Sequence, residues 1–392
     1  MRQIATTIVT LALTLGSPAV AAAQASLSDV LSFLLINRSV VTGDFTRDEA
    51  AAAATRDTLV SFVLAELNTL PTASPASGFT YRLDPELGIN VRSSTNFGPF
   101  FVERSLTIGR RRASFGVAFN DASFDNIDGR ALGDGSLVAT AGRLVGDSRP
   151  FDAETLTLGI RTRAVTVSGH AGITDRLDFN VAVPFLTVSV DGNRIDTYRG
   201  TAFAQATANA SASGMGDVRL GAKYNALRRG GSGVAVTGEA RLPTGDSDNL
   251  LGSGEFALAP HVVASLERAG FAVHGDVGYA VGGRSNELQY AGALTIAATN
   301  RLTVSTELIG RRLGSGGRLV DLVSAHPSLV GVETIRLTGT DEATTRMQFG
   351  AGLRWNVASR WLLNLNLLRP LTTAGLNARW VTSVSLDYAL GN

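Results

Sequence analysis

Apolar and polar residues alternate along the chain, most clearly between Met215 and Val281. Successive runs follow this pattern, and charged residues occupy the middle of the polar side. Strict alternation predicts β-strands with one apolar face and one polar face. Each run is about 12 to 14 residues long, whereas a tilted membrane strand needs about 9–11 and a soluble strand averages about 5–6. The length therefore favours strands that cross a membrane.

The two faces of these strands suit a lipid exterior and a wet interior. A soluble sandwich would bury the apolar faces between two sheets, whereas a transmembrane barrel turns them to lipid. We therefore predict an all-β fold, an antiparallel up-and-down transmembrane β-barrel of about 12 strands with an N-terminal helical segment. The predicted strands are 112–124, 154–170, 177–191, 215–227, 232–243, 254–267, 270–281, 286–298, 301–312, 344–357, 360–370 and 378–388.

The connections between the predicted strands alternate between short and long. Short periplasmic turns and longer extracellular loops, with an even strand count, are typical of outer-membrane barrels. The predicted inner turns are 174–176, 228–231, 268–269, 299–300 and 358–359. The predicted outer loops are 125–153, 192–214, 244–253, 282–285, 313–343 and 371–377.

Aromatic residues cluster near the ends of the predicted strands, where the interfaces of a membrane favour them. The predicted girdle comprises Tyr224, Phe271, Tyr279, Tyr290, Trp355, Trp361, Trp380 and Tyr388.

The alternation of apolar and polar residues is interrupted in two strands. The apolar positions change parity between Ile160 and Val165 in one strand, and between Val183 and Val188 in the next. These shifts predict β-bulges in two neighbouring strands, one of them at Pro184.

The N-terminal part of the chain differs from the rest. Residues 1–23 have a charged start, an apolar core and a small-residue cleavage site, which predicts a secretory signal peptide. Residues 24–77 carry helical periodicity and two capping boxes, Ser26 with Asp29 and Thr46 with Glu49, and form either a plug or a periplasmic segment. Residues 78–111 are predicted as a connecting hairpin and a strand leading into the barrel, which takes up 112–392.

Composition and charge narrow the possible chemistry. There is no cysteine and the net charge is +1, so we expect no thiolate metal site, no disulfide and no nucleic-acid partner. Of the four histidines, His261 is expected roughly opposite Asp276 in the lumen, as part of a hydrogen-bond network. His170 and His326 have no evident partner, and a metal site would need three or four converging ligands. We predict no catalytic residue, no metal and no cofactor.

Several short segments resemble a known family. They are Gly78-Phe-Thr-Tyr81, the run 97–109, Gly214-Met-Gly-Asp217, Leu242-Pro-Thr-Gly-Asp246 and Gly252-Ser-Gly254. They resemble the MetA-pathway of phenol degradation family of outer-membrane β-barrels, which is also described as a transporter family. The resemblance covers the chain from Gly78 onward. It implies an outer-membrane barrel connected with uptake of aromatic or other hydrophobic compounds, and it implies no catalytic residue.

The lumen is the predicted functional region. Charged and imidazole side chains of both signs are expected to point inward: Asp217, Arg219, Lys223, Glu239, Arg241, Glu255, His261, His274, Asp276, Glu287, Glu307, Arg346 and Arg354. These residues either line a pathway or only stabilise the barrel through cross-strand ion pairs.

The predicted function is passive uptake of small compounds through a cell outer-membrane channel. The expected partners are outer-membrane lipid, the barrel-assembly machinery and an unknown small-molecule substrate. One alternative is a structural barrel whose loops 125–153, 192–214 and 313–343 contact other surfaces. Two others are a barrel-embedded hydrolase, for which Ser324 and His326 are the nearest pair, and a soluble secreted β-protein.

Overall fold

A computed structural model describes residues 25–35, 47–67, 78–83, 90–314 and 317–390. The predicted signal peptide at 1–23 and the predicted N-cap Thr46 lie outside these residues. The helices are α1 (Leu27–Leu35) and α2 (Glu49–Leu67). The strands are β1 (Tyr81–Leu83), β2 (Asn90–Arg92), β3 (Ala113–Ile127), β4 (Arg130–Ala131), β5 (Leu137–Leu144), β6 (Asp152–Gly172), β7 (Leu177–Tyr198), β8 (Thr201–Met215), β9 (Val218–Arg229), β10 (Ser232–Leu242), β11 (Ala257–Arg268), β12 (Phe271–Gly282), β13 (Glu287–Thr299), β14 (Leu302–Leu313), β15 (Leu319–Ala325), β16 (Val332–Gly339), β17 (Thr344–Ala358), β18 (Trp361–Pro370) and β19 (Leu376–Leu390).

Twelve of these strands form a closed antiparallel barrel: β3, β6, β7, β9 to β14 and β17 to β19. The wall closes where β19 pairs with β3, with Leu386 opposite Val117. The predicted fold class is confirmed, and the predicted strands coincide closely with those observed. The largest difference is at the outer end of β7, which continues to Tyr198.

The wall alternates between exposed apolar and buried polar side chains. On β11, Val262 is 55% exposed and Leu266 is 67% exposed, because these side chains point away from the lumen. On β14, Thr303, Ser305 and Glu307 point inward and are at most 2% exposed. This is the arrangement that lipid outside and polar groups inside require.

Above the wall, the sheet continues as an outer extension. It consists of β4, β5, β8, β15, β16 and the outer ends of β6 and β7. β8 pairs with the outer part of β7, and β5 pairs with the outer part of β6 on one side and with β16 on the other. Three of the predicted long outer loops therefore contain paired strands.

The predicted β-bulges between β6 and β7 are wrong. The two strands pair without a register shift from Asp152 opposite Tyr198 to Gly172 opposite Asp178. The side that carries the apolar residues changes instead. Val165 in the wall points outward and is 40% exposed, whereas Leu156 in the extension points inward and is fully buried. The exterior changes from lipid to water as the strand rises, so apolar residues move to the inner face.

The inner face of the extension is apolar because both helices pack against it. Leu31 and Leu34 of α1 and Leu59 and Phe62 of α2 join one buried cluster with Leu156 and its neighbours on the strands. The capping box predicted at α1 forms, since Ser26 N donates to Asp29 Oδ2 at 2.9 Å and Asp29 N donates to Ser26 Oγ at 3.0 Å. No helix within the described residues is long and apolar enough to cross a membrane.

The first turn of α2 is capped by Asp48. Ala51 N donates to Asp48 Oδ1 at 3.0 Å. A carboxylate in this position satisfies an amide that lacks a partner inside the helix.

Residues 93–112 pass through the inner half of the lumen and are called the plug segment here. They contain no regular strand, in contrast to the strand predicted within 78–111. The preceding strands β1 and β2 pair with each other, Tyr81 lying opposite Arg92. The plug segment leaves its backbone groups to be paired by side chains of the wall, since an unpaired buried amide is costly.

Candidate functional site

Two neighbouring cavities lie in the lumen above the plug segment. The outer cavity has a volume of about 400 Å³ and is bounded by Phe62 and Leu64 of α2 and by the outer halves of the wall strands. The inner cavity has a volume of about 180 Å³ and reaches down to Phe101 of the plug segment. The two cavities share five lining residues: Glu239, Arg241, Glu287, Gln289 and Arg346. We call these five the charged ring.

Glu307 holds the plug segment below the inner cavity. Its carboxylate accepts three backbone hydrogen bonds, from Phe100 N at 2.7 Å, Phe101 N at 2.7 Å and Val102 N at 2.9 Å. Three amides are thereby satisfied by one wall side chain, and charge-assisted bonds of this kind are the stronger ones.

Further wall residues bind the plug segment on other sides. Lys223 forms an ion pair with Glu103 and donates to Arg104 O at 3.1 Å. Arg354 Nη1 donates to Phe97 O at 2.8 Å. These side chains form hydrogen bonds and an ion pair with the plug segment. None of Lys223, Arg354 and Glu307 contributes to the lining of the two cavities.

The predicted lumen residues therefore fall into three groups. The plug-binding group is Lys223, Glu307 and Arg354, with His274 buried nearby on β12. The cavity-lining group is Arg219, Glu239, Arg241, His261, Asp276, Glu287 and Arg346. The outer-rim group is Asp217, which is buried, and Glu255, which is exposed. The structure brings the second group together, and its use as a pathway stays a prediction.

The histidines all make side-chain contacts. His261 Nδ1 lies 2.7 Å from Asp276 Oδ1, and both residues line the inner cavity. His274 Nδ1 lies 2.9 Å from Ser265 Oγ. His170 Nε2 lies 2.9 Å from Asp178 Oδ2, a partner that sequence reasoning missed although both flank one short turn. The described residues contain no group of three side chains with the arrangement of a metal site.

His326, the histidine considered for a hydrolase, belongs to a turn after β15. Its Nδ1 accepts hydrogen bonds from Ser328 N and Leu329 N, both at 3.2 Å. These contacts orient the ring toward its own backbone.

The motifs that resemble the family meet at the outer rim. Asp217 accepts hydrogen bonds from Gly245 N at 3.1 Å and from Ser253 N at 2.8 Å. A Cβ on Gly245 would lie 2.5 Å from Leu251 O, and one on Gly252 would lie 2.6 Å from Gly245 Cα. The two chain segments approach so closely that only glycine fits, which gives the motif pairing a structural reason.

The predicted aromatic girdle lies mostly on the outside of the wall. Six of its members are large exposed side chains, between 41% and 55% exposed: Tyr224, Phe271, Tyr279, Trp355, Trp361 and Trp380. Tyr388 is half-buried against Trp361, with ring centroids 4.7 Å apart. Tyr290 is half-buried and lies opposite Gly310. Contact with the two membrane interfaces stays a prediction.

A buried ionic cluster in the outer extension was missed by sequence reasoning. Arg47, just before α2, lies 2.6 Å from Asp152, 3.6 Å from Glu154 and 3.3 Å from Asp196. Asp196 lies in the outer extension, beyond the membrane wall. Its burial, and then the nearby negative charge of Glu154, raise the pKa of Asp196 to about 6. The cluster fixes the start of α2, the helix that bounds the outer cavity.

Comparison of the sequence with models of known protein families identifies one matching family. A family model described as "Putative MetA-pathway of phenol degradation" matches residues 134–379. No curated protein sequence matches the chain.

Three solved structures are similar in fold. The COG4313 outer membrane channel from Pseudomonas putida F1 is 14% identical, with 73% of this chain and 98% of that chain covered and a TM-score of 0.47. A Pseudomonas aeruginosa FadL homologue is 10% identical, with 72% and 89% covered and a TM-score of 0.31. The Ralstonia pickettii toluene transporter TbuX is 10% identical, with 72% and 90% covered and a TM-score of 0.26.

Proposed function

This chain belongs to the MetA-pathway of phenol degradation family, and we propose that it is a passive outer-membrane channel for small hydrophobic or aromatic compounds. The observation that carries the proposal is the pair of cavities that meet at the charged ring. Together they occupy the lumen from α2 down to Phe101. Diffusion through them needs no energy source and no covalent chemistry.

The lining of the outer cavity supports an apolar or aromatic permeant. Phe62 and Leu64 face the wall residues Ala259, Ala280 and Leu313 across this space. Pockets for small molecules are mostly apolar with a few placed polar groups, and the charged ring supplies such groups at the lower end. Passage past the ring requires the plug segment to shift, so we propose that Phe101 and its neighbours form the gate.

The proposal includes the surroundings of the barrel. Export through the predicted signal peptide at 1–23 would bring the chain to the barrel-assembly machinery, and the exposed apolar face of the wall would then contact outer-membrane lipid.

A pair of tryptophan substitutions tests the channel. Ala280 points into the outer cavity and is 6% exposed, whereas its neighbour Val281 points outward and is 52% exposed. We expect Ala280→Trp to reduce planar-bilayer conductance, and uptake of an aromatic compound by cells, several-fold. Val281→Trp adds the same ring on the lipid side and should leave both unchanged.

The same measurements separate the channel from a structural barrel. If the unsubstituted protein gives neither conductance nor uptake, the channel proposal is wrong and a surface-contact role gains support. Equal losses in Ala280→Trp and Val281→Trp would also contradict it, because the lumen would then not be the route.

A further inference from the structure

The charged ring and its neighbours contain two pairs of arginines that face each other across adjacent strands. Arg219 of β9 lies directly opposite Arg241 of β10. Arg311 of β14 lies directly opposite Arg346 of β17. All four line the inner cavity. Like charges placed directly opposite on one face of a sheet destabilise it, so each pair needs acidic side chains or a bound anion nearby.

Three acidic residues line the same cavity. Glu287 lies 3.8 Å from Arg311, and Glu239 precedes Arg241 on the same strand, β10. Asp276, the third acid, is hydrogen-bonded to His261 at 2.7 Å. The inner cavity is thus lined by four arginines and three acids, and Asp217 also interacts electrostatically with Arg219.

Arg241 is the arginine best placed to meet a ligand. Its cross-strand neighbour on the other side is Ala257, which offers no polar group. Among the described residues, its guanidinium has no hydrogen-bond or ion-pair partner, and it borders both cavities. A guanidinium matches a carboxylate with two parallel hydrogen bonds.

The space directly above the ring has a mixed lining, in which apolar side chains accompany Asp57, Arg284 and Asp341. Phe62, Leu64, Ala259, Ala280 and Leu313 line it within a cavity of about 400 Å³. A cavity of about 150 Å³ already accommodates benzene, so an aromatic ring fits here with room for substituents. An acidic substituent on such an aromatic ring would reach Arg241 and Arg346, while the aromatic ring stayed among the apolar side chains of the outer cavity.

We propose that the charged ring is a binding site for the anionic group of an amphipathic permeant, with aromatic carboxylates as the chemical class it fits. This inference rests on the channel function and adds a selectivity to it. Arg241 and Arg346 bind the carboxylate, and the outer cavity holds the apolar body.

Benzoate and benzyl alcohol test the proposal, since they share a ring and differ in charge. Isothermal titration calorimetry of the full-length protein in detergent should give binding of benzoate about tenfold or more tighter than that of benzyl alcohol, the effect of one strong charge-assisted contact. Arg241→Gln should remove most of this preference, and Arg241→Lys should retain part of it.

Arg312→Gln is the matched control. Arg312 follows Arg311 on β14 and is exposed on the opposite face of the wall, so its loss changes net charge equally without touching the cavity. We expect it to bind benzoate like the unsubstituted protein. Reversal potentials in a KCl gradient should likewise show anion preference that Arg241→Gln reduces and Arg312→Gln preserves.

The outcomes distinguish this inference from the channel proposal. Equal binding of benzoate and benzyl alcohol, or equal losses in Arg241→Gln and Arg312→Gln, would overturn the anion site while conductance and uptake leave the channel intact. Loss of conductance and uptake altogether would overturn both.

Discussion

The barrel wall and the outer extension are built from the same strands, yet they bury opposite faces. In the wall part of β6, Val165 is exposed outward and Thr166 is buried toward the lumen. In its outer part, Leu156 is buried inward and Thr155 faces outward. The parity of the strand never changes, so the difference lies in the solvent that each face meets. One continuous sheet can thus turn its apolar face outward to lipid at one height and inward to a buried core at the next.

The difference explains where the two helices dock. The wall encloses mostly polar side chains, and its small apolar cluster around Leu362 is already covered by Phe79 and Phe97. The extension encloses an apolar surface, and α1 and α2 supply its other half. The plug segment is held by polar contacts, so we expect it to be the part that moves to open the pathway. The helices are expected to form a stable outer boundary.

The largest expected effect comes from the ionic cluster that anchors α2. Arg47→Met removes the cation beside Asp152, Glu154 and Asp196 while keeping the aliphatic stem. Uncompensated buried charge costs about 3–5 kcal/mol, so α2 should lose protection in amide hydrogen exchange at pH 7.5. Arg56→Met is the control, since Arg56 pairs with the exposed Asp57 and its loss should cost well under about 1 kcal/mol.

Acid should reverse much of that loss. The pKa of Asp196 is already raised to about 6 by burial, and losing Arg47 raises it further. The folded state then binds more protons than the unfolded state, so its stability rises as pH falls toward 5. The unsubstituted protein should gain less over the same pH range. Unchanged or weaker protection of Arg47→Met at pH 5.5 would contradict the importance of the cluster.

A smaller effect is expected from truncating the core of the extension. Leu156→Ala should destabilise α2 and the outer strands by about 3 kcal/mol, since a buried leucine leaves a cavity. Thr166→Ala changes the same face of the same strand inside the wall, where the Thr166 hydroxyl has no hydrogen-bond partner among the described residues. Hydrogen exchange should show little change for this control, and equal effects would mean that the two regions do not differ as described.

The smallest effect should come from placing a charge on the outer face. Val165→Arg should destabilise the barrel in lipid vesicles by about 2 kcal/mol, because the guanidinium meets hydrocarbon. Thr155→Arg occupies the same face above the membrane and should cost less than about 0.5 kcal/mol. Urea unfolding followed by tryptophan fluorescence reports on the wall, where Trp355, Trp361 and Trp380 lie. A higher cost at residue 155 would place the membrane boundary elsewhere.

Local sequence patterns predicted the wall well. Alternation along β9 to β14 identified each strand, because one face meets lipid throughout and the other meets polar groups. Turn lengths gave the topology, because adjacent antiparallel strands need only short connections. The family motifs could be found in the sequence, but the meeting of Asp217, Gly245 and Ser253 could not be read from spacing alone.

The lumen was predicted less completely. The inward direction of Glu307 and Lys223 follows from strand parity, but their binding to the plug segment depends on where residues 93–112 run. That path has no periodicity, since its backbone is paired by wall side chains. The cluster around Arg47 was missed for a similar reason, because its members are far apart in sequence and meet only when α2 docks.

The sequence by itself determined the strands, their order and the face that each presents in the membrane. Each of those features depends on a residue, its nearest neighbours in sequence, and whether its strand face meets lipid or the lumen. Only the tertiary structure decided which inward residues bind the plug segment, which line the cavities, and why the apolar parity changes along β6 and β7. Those outcomes depend on what occupies the enclosed space at each height, and distant segments of the chain supply it.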